Sequence, residues 1–476
     1  MFRTIFTSSL LLVSLNVFSQ KTFHVDDFIN NSENSLENSK NVKNIKINKN
    51  ENDLFNKGFL PEVSLNFSFP SYNRSITEIT QPDGTYAFKE SNSANSKVSL
   101  SVSQKIPFTG GKLTISNSLN RLDLFGDTQN STSYSASWLG FNLSQPLTFF
   151  NAMKWDKKIQ DAKFEYNTII DIRNRIGIKK KAIKHYFELL RIKNEESLLV
   201  KRIEATNKYK KYIFRLIKAG KAIASDSIDV ELKLLNEQKN LRFLDKSEIL
   251  KIQSVNTFFK EELFNKTDSM AIPTTNIALK ELNFYINNYL DVYNIVEKNN
   301  LLSYEKNIKQ LERNRFYAAT LSIGAGFNNT SDKYTTVFQN PNESQNFSIA
   351  LNFPVLDFGK KRMELELTRT QYDVEILNLE QEKTLNIERI SLLHEEINDL
   401  QYSLGLENLR TNLLRIKLNR MEMLLYAQKI LFQDYAETED LFFKSLNEKT
   451  NLTQNIYNKC LELEETTLTE IIKNEN

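Results

Sequence analysis

The chain has 476 residues, with 62 basic and 59 acidic side chains and a formal net charge of +3. This near-neutral balance argues against a protein dedicated to nucleic acid, which would carry a strong basic excess. Only 12 glycines and 8 prolines occur, which favours long regular elements over many short ones. The single cysteine, Cys460, excludes an internal disulfide, and a lone helical cysteine is most often a small buried apolar group.

Residues 1–19 have the pattern of a cleaved signal peptide. Arg3 gives a positive start, an apolar stretch runs from Ile5 to Val17, and Ser19 is a small residue before the expected cut. An uncleaved membrane anchor is the alternative, although this stretch is too short to span a bilayer. No later run reaches the ~20 apolar residues of a membrane helix. The mature chain is therefore expected to be soluble outside the inner membrane or to form a β-barrel.

The first third of the mature chain is predicted to be mostly β-structure. A polar N-terminal periplasmic segment that contains a short helix is predicted at residues 20–57, and a first β-block is predicted at residues 58–147. The first strand alternates with a period of two, with Val63, Leu65, Phe67 and Phe69 on one face and Glu62, Ser64, Asn66 and Ser68 on the other. A tight turn is predicted at Thr109-Gly110-Gly111, so the number of strands expected in this block is either two or four.

Long helices are predicted in residues 148–314 and 356–476, on either side of a second, shorter β-block at 315–355. The first has no proline from Asn151 to Lys218, and a helix of about 68 residues would span roughly 100 Å. Each long helix is expected to be followed by an antiparallel return helix. In the second block, apolar residues keep a three-four spacing over about five heptads, which is typical of a coiled coil. The residues of this seam are Ile390, Leu393, Ile397, Leu400, Leu404, Leu414, Leu418, Met421 and Leu425, with Glu407 and Thr411 as its polar members.

Two stretches of the chain resemble each other where a strand passes into a long helix. Phe141 corresponds to Ile349 and Leu143 to Leu351, and Pro354 lies 208 residues after Pro146. Both prolines stand at a strand-to-helix junction, a position that suits a residue unable to donate to a β-ladder. The constant offset predicts an internal structural duplication.

The strand count predicts an oligomer. Four to six strands cannot close a membrane barrel, which needs about eight, and open strand edges are not tolerated in lipid. Sister copies are therefore expected to complete the wall, and three copies would give twelve or eighteen strands. The fold predicted is a mixed α/β membrane protein: a trimeric transmembrane β-barrel continuous with a long antiparallel coiled-coil tunnel in the periplasm.

At these junctions the sequence resembles the TolC-like outer-membrane efflux proteins. The resemblance rests on SQPLTFF and NFPVLDFGKKR at the two junctions, on FLPEVSLNFSF at the first strand, and on KAGKAIASDSIDVELKLLNEQ at a helical turn. It implies a homotrimer in the outer membrane of a Gram-negative bacterium, exit duct of a tripartite export system with a periplasmic adaptor and an inner-membrane ABC or RND-type pump. Small-molecule efflux and type I protein secretion both remain open.

The resemblance also implies roles for the helical tips. Gly220, Ser225 and Asp226 match the family's periplasmic tip, where an adaptor would dock. A glycine can end one helix in a left-handed conformation, and Ser or Asp can cap the next. The second tip, FQDYAETEDLFFKS, lacks the glycine and has Asp434 near its place. Asp440 falls where an acidic residue would narrow the periplasmic mouth, with an ordinary helix-start carboxylate as the alternative.

No catalytic, cofactor or metal site is predicted. His24, His185 and His394 do not stand at metal-ligand spacing with one another, and His185 is predicted to be a packing or interface residue. The lysine run at 179–181 is predicted to be a solvated helix face rather than a nucleic-acid site. The alternative function, from another class, is a secreted coiled-coil adhesin or scaffold with a β-head.

Overall fold

The computed structural model describes residues 21–125, 130–147, 150–221, 223–273, 277–314, 318–353, 355–427 and 429–472, apart from the side chains of Thr77, Lys89, Ser91 and Asp226. The predicted signal peptide and Pro354 lie outside the described residues. The secondary structure is mixed, as predicted, with seven helices and eight strands in the described part.

The strands and helices have the following bounds. The strands are β1 Thr22–Phe23, β2 Glu62–Thr80, β3 Tyr86–Ile106, β4 Gly111–Phe125, β5 Ser131–Pro146, β6 Ser269–Met270, β7 Ala318–Ser331 and β8 Asn342–Asn352. The helices are α1 Val25–Asn31, α2 Leu36–Lys57, α3 Ala152–Lys218, α4 Ala224–Phe259, α5 Leu282–Arg313, α6 Lys360–Tyr426 and α7 Phe432–Thr467, with a short 3₁₀ turn at Ser32–Asn34.

Several of these bounds repeat along the chain. Helices α3 and α6 both have 67 residues, and α4 and α7 both have 36. Each bound of α6 and α7 lies 208 residues after the matching bound of α3 and α4. This is the offset that the sequence shows between Pro146 and Pro354.

The chain divides into two compact units. One contains the chain up to Asn44 together with Ile170–Tyr289 and the chain from Asn386, and the other contains Ile45–Ile169 and Leu290–Leu385. The second unit holds the main sheet, and the first holds most of α3 and α6 and all of α4 and α7.

The main sheet has six antiparallel strands in the order β2-β3-β4-β5-β7-β8. The first four come from the predicted first β-block and the last two from the second. Within the sheet, β2 and β8 each have a strand on one side only. The sheet therefore presents two open edges with unpaired backbone groups.

The other unit is packed around an aromatic cluster at the start of the described chain. Strand β1 pairs in parallel with β6, which holds the N-terminal segment in place. The ring of Phe28 lies 5.2 Å from that of Tyr186 on α3 and 5.4 Å from that of Phe259 on α4. All three side chains are buried, so the N-terminal segment is part of this core.

The seam predicted on α6 is largely buried in the structure. Ile390 and Ile397 are fully buried, and the polar members Glu407 and Thr411 are buried as well. The three-four spacing therefore identified the packed side of this helix. Among the described residues, no helix is long and apolar enough to cross a membrane.

Candidate functional site

One face of the six-stranded sheet carries a continuous apolar band. Strand register places three large apolar side chains of every strand on this face. They are Val63, Leu65 and Phe67; Val98, Leu100 and Val102; Leu113, Ile115 and Leu119; Leu139, Phe141 and Leu143; Leu321, Ile323 and Phe327; and Phe347, Ile349 and Leu351. Many of them are exposed. Water does not favour so large an exposed apolar surface, so the band requires an apolar environment.

The opposite face is polar over the same height. Alternate residues of the strands are almost all serine, asparagine, threonine or glycine. The central ones are Ser64 and Asn66; Ser99 and Ser101; Thr114 and Ser116; Asn142 and Ser144; Ser322 and Gly324; and Asn346 and Ser348. Hydroxyls meet across strands on this face, for example those of Ser64 and Ser101 at 2.8 Å. A sheet with one face for water and one for an apolar medium is the result.

The first strand-to-helix junction is fixed by an asparagine that follows the predicted proline. Pro146 is the last residue of β5, and α3 begins at Ala152. The side chain of Asn151 accepts a hydrogen bond from the Lys154 amide at 3.0 Å, which caps the helix. The same side chain donates to the carbonyl of Pro107 at 2.7 Å, so the cap is tied to the turn before β4.

The second junction uses a different cap. Pro354 is outside the described residues. Asp357 accepts hydrogen bonds from the amides of Gly359 at 3.0 Å and Lys361 at 3.4 Å at the start of α6. The two junctions thus share their place in the chain but not the residue that caps the helix.

The first helical tip ends in the conformation that its glycine favours. Gly220 has a φ of 70°, in the left-handed region. Its amide donates to the Ile217 carbonyl at 3.0 Å, and the Lys221 amide donates to the Leu216 carbonyl at 2.9 Å. These two bonds form a Schellman motif, which satisfies carbonyls at the end of α3.

The other two predicted tip residues belong to the next helix. Helix α4 begins at Ala224, so Ser225 and Asp226 lie in its first turn and do not precede it. Ser225 is exposed. The side chain of Asp226 is outside the described part. Gly220 and Ser225 are both exposed and are therefore open to a partner.

The helix bounds give a more specific correspondence for the second tip than its residue types do. The 208-residue offset of the helix bounds places Gln428, not Asp434, at the position of Gly220, and places Asp434 at the position of Asp226. Asp434 accepts a hydrogen bond from the Leu431 amide at 3.2 Å at the start of α7. The Lys429 amide donates to the Leu424 carbonyl at 3.0 Å, which matches the bond from Lys221 to Leu216. The helix-end bond therefore recurs at the second tip.

Asp440, the predicted aperture residue, is held by a basic residue of another helix. Its carboxylate lies 2.7 Å from a guanidinium nitrogen of Arg202 on α3, and 58% of its side chain is exposed. The Nε atom of Arg202 lies 3.1 Å from the buried Glu439 next to it. Sequence reasoning missed Arg202, whose only signal is a basic residue close to the apolar stripe residue Leu199.

A buried polar cluster continues inward from this ion pair. Burial raises the pKa of Glu439 above its usual range, against the opposing effect of the Arg202 charge. Burial likewise raises the pKa of Glu237 on α4. Lys233 is close enough to affect both groups, although its own pKa is lowered by burial. Helices α3, α4 and α7 are thus joined by charged groups near the tips.

Helices α4 and α6 each present a second apolar line to the surface. On α6 its large members follow a heptad spacing, interrupted once by Arg420: Tyr402, Leu406, Leu409, Leu413, Ile416 and Met423. All six side chains are more than half exposed, Leu409 by 62%. At 100° per residue this line lies on the side of α6 opposite its buried seam. On α4 the corresponding line contains Ile228, Leu232 and Leu235.

Ion pairs connect several of these helices within their unit. Helix α4 contacts α3 through the Lys193–Glu248 pair at 2.5 Å. Helix α3 contacts α7 through Arg202, and α7 contacts α6 through the Lys459–Glu396 pair at 2.7 Å. The exposed apolar lines lie on α4 and α6.

One acidic cluster in the described part has the spacing of a metal site. Glu196, Asp245 and Glu248 bring carboxylate oxygens within 4.8 Å of one another. Two ammonium groups already pair with two of the three carboxylates: Lys193 lies 2.5 Å from Glu248, and Lys266 pairs with Asp245. The cluster is therefore accounted for as an ion-pair network between α3 and α4.

The three histidines occupy separate structural places. The amide of His24 donates to the Asp27 carboxylate at 2.7 Å, which begins α1. His394 lies 3.0 Å from the Lys280 carbonyl. The Nδ1 atom of His185 lies 2.8 Å from the ammonium of Lys251, and its ring lies 5.0 Å from that of Phe258. His185 therefore takes part in packing, as its place beside the apolar stripe predicted.

No protein-family model matches the chain, and no curated protein sequence matches it. Solved structures do match. The outer-membrane channel OprN superposes with a TM-score of 0.66 and 13% identity, over 93% of this chain and 89% of OprN. CusC, described as forming a transmembrane channel, superposes with a TM-score of 0.64 and 12% identity, over 96% of this chain and 94% of CusC. The outer membrane protein VceC of Vibrio cholerae superposes with a TM-score of 0.65 and 10% identity, over 94% of this chain and 97% of VceC. The chain therefore has the fold of the TolC-like outer-membrane channel proteins, as its motifs indicated.

Proposed function

We propose that the protein is an outer-membrane channel that three copies build together. It would be the passive exit duct of a tripartite efflux or type I secretion-type export system, located in the outer membrane with a periplasmic extension. The observation that carries this proposal is the six-stranded sheet, which has one apolar face, one polar face and two open edges. The channel is not an enzyme, and the likeness to solved channel proteins supports that reading.

The two faces of the sheet fit a barrel wall. A transmembrane strand needs about 9–11 residues, and the six strands have from 11 to 21. In a membrane barrel the apolar residues face lipid and the alternate polar residues face a wet lumen. The serine- and asparagine-rich face would therefore line the bore, and outer-membrane lipid would cover the apolar band.

The open edges require further copies of the chain. An edge with unpaired amides and carbonyls is not stable in lipid, because no water is present to satisfy those groups. Strands β2 and β8 would therefore pair with strands of neighbouring copies. Three copies would give eighteen strands, within the range of known membrane barrels.

The exposed apolar lines of α4 and α6 support the same assembly from the helical side. Each line is spaced as a coiled-coil seam but has no partner among the described residues of its own chain. Near the tips, α6 carries Arg415, Lys417 and Arg420, whereas the first turns of α4 carry Asp229 and also Glu231, which pairs with Lys210 of its own chain. Helix α6 of one copy would therefore pack against α4 of the next, with opposite charges beside the seam.

The equal helix lengths and the 208-residue offset support an internal structural duplication. Strands β4 and β5 with α3 and α4 would form one copy, and β7 and β8 with α6 and α7 the other. The β2–β3 hairpin would be an addition to the first copy. Three chains would then give a tube with approximate sixfold repetition.

The tips are the proposed sites of regulation. The turn at Gly220, Ser225 and Asp226 would dock a periplasmic adaptor, and the adaptor would connect the channel to an inner-membrane ABC or RND-type pump. Asp440 would narrow the periplasmic mouth until the tips separate. The pump would supply the energy, because the described residues of the channel hold no nucleotide or cofactor motif.

Reconstitution into planar lipid bilayers tests the proposal. Purified protein should insert only from detergent and give discrete current steps of constant size. A secreted adhesin or scaffold would instead leave the membrane fraction in high salt and give no current. Absence of current at every protein concentration that saturates the bilayer would overturn the proposed function.

A further inference from the structure

The polar face of the main sheet carries a basic excess. Its charged side chains in the described residues are Lys97, Lys105, Lys112 and Glu62. All three lysines are exposed, and no acidic side chain of the described part lies within ion-pair distance of any of them. The serines, asparagines and glycines around them bring no compensating charge.

Two of these lysines stand directly opposite each other. Lys105 on β3 and Lys112 on β4 are cross-strand partners in the register. Like charges at directly opposite positions destabilise a sheet, and the cost is reduced where water or an anion reaches the pair. Lys97 lies eight residues farther along β3, about 27 Å away at ~3.4 Å per residue. The excess therefore extends along most of the polar band.

On the apolar face of the sheet, the basic side chains are paired with acidic ones. The two arginines of this face are both paired: Arg74 with Glu90, and Arg121 with Asp123 at 2.9 Å. Basic residues on this face are thus neutralised locally, whereas those on the polar face are not. The unbalanced positive charge of the sheet is confined to the face that would line the bore.

We propose that the β-lined part of the bore favours anionic solutes over cations. This inference rests on the proposed function, since it needs the polar face to enclose water. Counted over the described side chains alone, three copies would place nine lysines against three glutamates on the wall. A charged wall of low dielectric constant raises the local concentration of the opposite charge. Because the Debye length is about 10 Å at 0.1 M salt, the preference should strengthen as the salt concentration falls.

The reversal potential of the channel in a potassium chloride gradient tests this. Replacement of Lys97, Lys105 and Lys112 by glutamine should shift the reversal potential towards the value of a channel that passes only cations. This shift should grow at lower salt concentration. The matched control is Arg121→Gln, which removes the same charge from the opposite face at the same height, because Lys97 pairs with Asn120 next to it. The control should leave the reversal potential unchanged.

Three results would overturn the inference while leaving the channel function intact. They are current with an unchanged reversal potential in the lysine variant, a shift in the opposite direction, or an equal shift in the Arg121→Gln control. Absence of any current in the wild-type protein would instead count against the proposed function itself. A lysine variant that conducts with wild-type step size shows that its wall has formed.

Discussion

The hydroxyl oxygens of Thr411 and Ser445 lie 2.7 Å apart inside the interface between α6 and α7. The Ser445 hydroxyl also donates to the carboxylate of Glu407 at 2.5 Å. Glu407 and Thr411 are the two polar residues that interrupt the apolar seam of α6, and Ser445 on α7 contacts both of them. The interruption is therefore a matched polar layer, which can fix the register of the two helices.

Replacement of Ser445 by alanine should destabilise the pair of helices. The change leaves the buried Glu407 carboxylate without its hydroxyl donor, and an unsatisfied buried polar group costs about 1–3 kcal/mol. The midpoint of thermal unfolding, followed by circular dichroism in detergent, should fall. Ser403→Ala removes an exposed hydroxyl from α6 and should leave it unchanged. Equal midpoints for the two variants would contradict a structural role for the layer.

Neutralising Asp440 should increase the single-channel conductance. If the residue narrows the periplasmic mouth, Asp440→Asn removes its pair with Arg202 and lets the tips move apart. Planar bilayer recordings measure the step size directly. Glu437→Gln, which changes an exposed acid on the same helix, is the control and should conduct like the wild type. Unchanged conductance of Asp440→Asn would assign this residue to the alternative, an ordinary helix-start carboxylate.

A charge in the exposed line of α6 should prevent assembly without unfolding the chain. Leu409 is 62% exposed in the single copy, so Leu409→Lys costs little there but would be buried between copies. The variant should elute as a single copy in mild detergent with wild-type helix content. Asn419→Lys, at an exposed position of α6 about 100° away from the line, should still assemble. A trimeric Leu409→Lys protein would show that this line is not an interface.

His185 should make stability depend on pH. Burial, reinforced by the charge of Lys251, lowers the pKa of this imidazole to about 4, whereas the unfolded chain has about 6.5. The unfolded state therefore binds more protons between these values. The contribution of the neutral His185 to the free energy of unfolding is fully present above about pH 6.5 and is lost as the pH falls towards 4.

The comparison with a variant isolates that contribution. On lowering the pH from 7.5 to 5, the wild type should lose more of its free energy of unfolding than His185→Gln, by on the order of 1–2 kcal/mol. Thermal midpoints at both pH values, measured in the same detergent, provide the test. A parallel loss in both proteins would mean that protonation of His185 does not contribute.

Much of the fold could be predicted from local sequence patterns. Period-two alternation from Val63 onwards identified the first strand, and the three-four spacing from Ile390 identified the buried side of α6. Such patterns record which side of an element meets the core, so they survive even when other sequence similarity is weak. Pro146 identified the end of its strand for a comparable local reason, the missing amide donor.

Features that join distant parts of the chain could not be read in this way. Arg202 and Asp440 are separated by 238 residues, and no local pattern connects them. At the second tip the absence of a glycine left the correspondence with the first tip open. The full 208-residue offset would have placed Gln428 opposite Gly220, since α3 and α6 have equal length. The exposed line of α6 was also present in the sequence, but only the structure separates it from the buried seam.

The central claim is that one chain supplies a third of a closed wall around a water-filled bore. The mass of the purified protein in mild detergent, determined by light scattering with the detergent contribution subtracted, tests this most directly. We expect three chains per particle at every protein concentration in the working range. A particle with a single chain would contradict it, because the open edges at β2 and β8 would then have no partner.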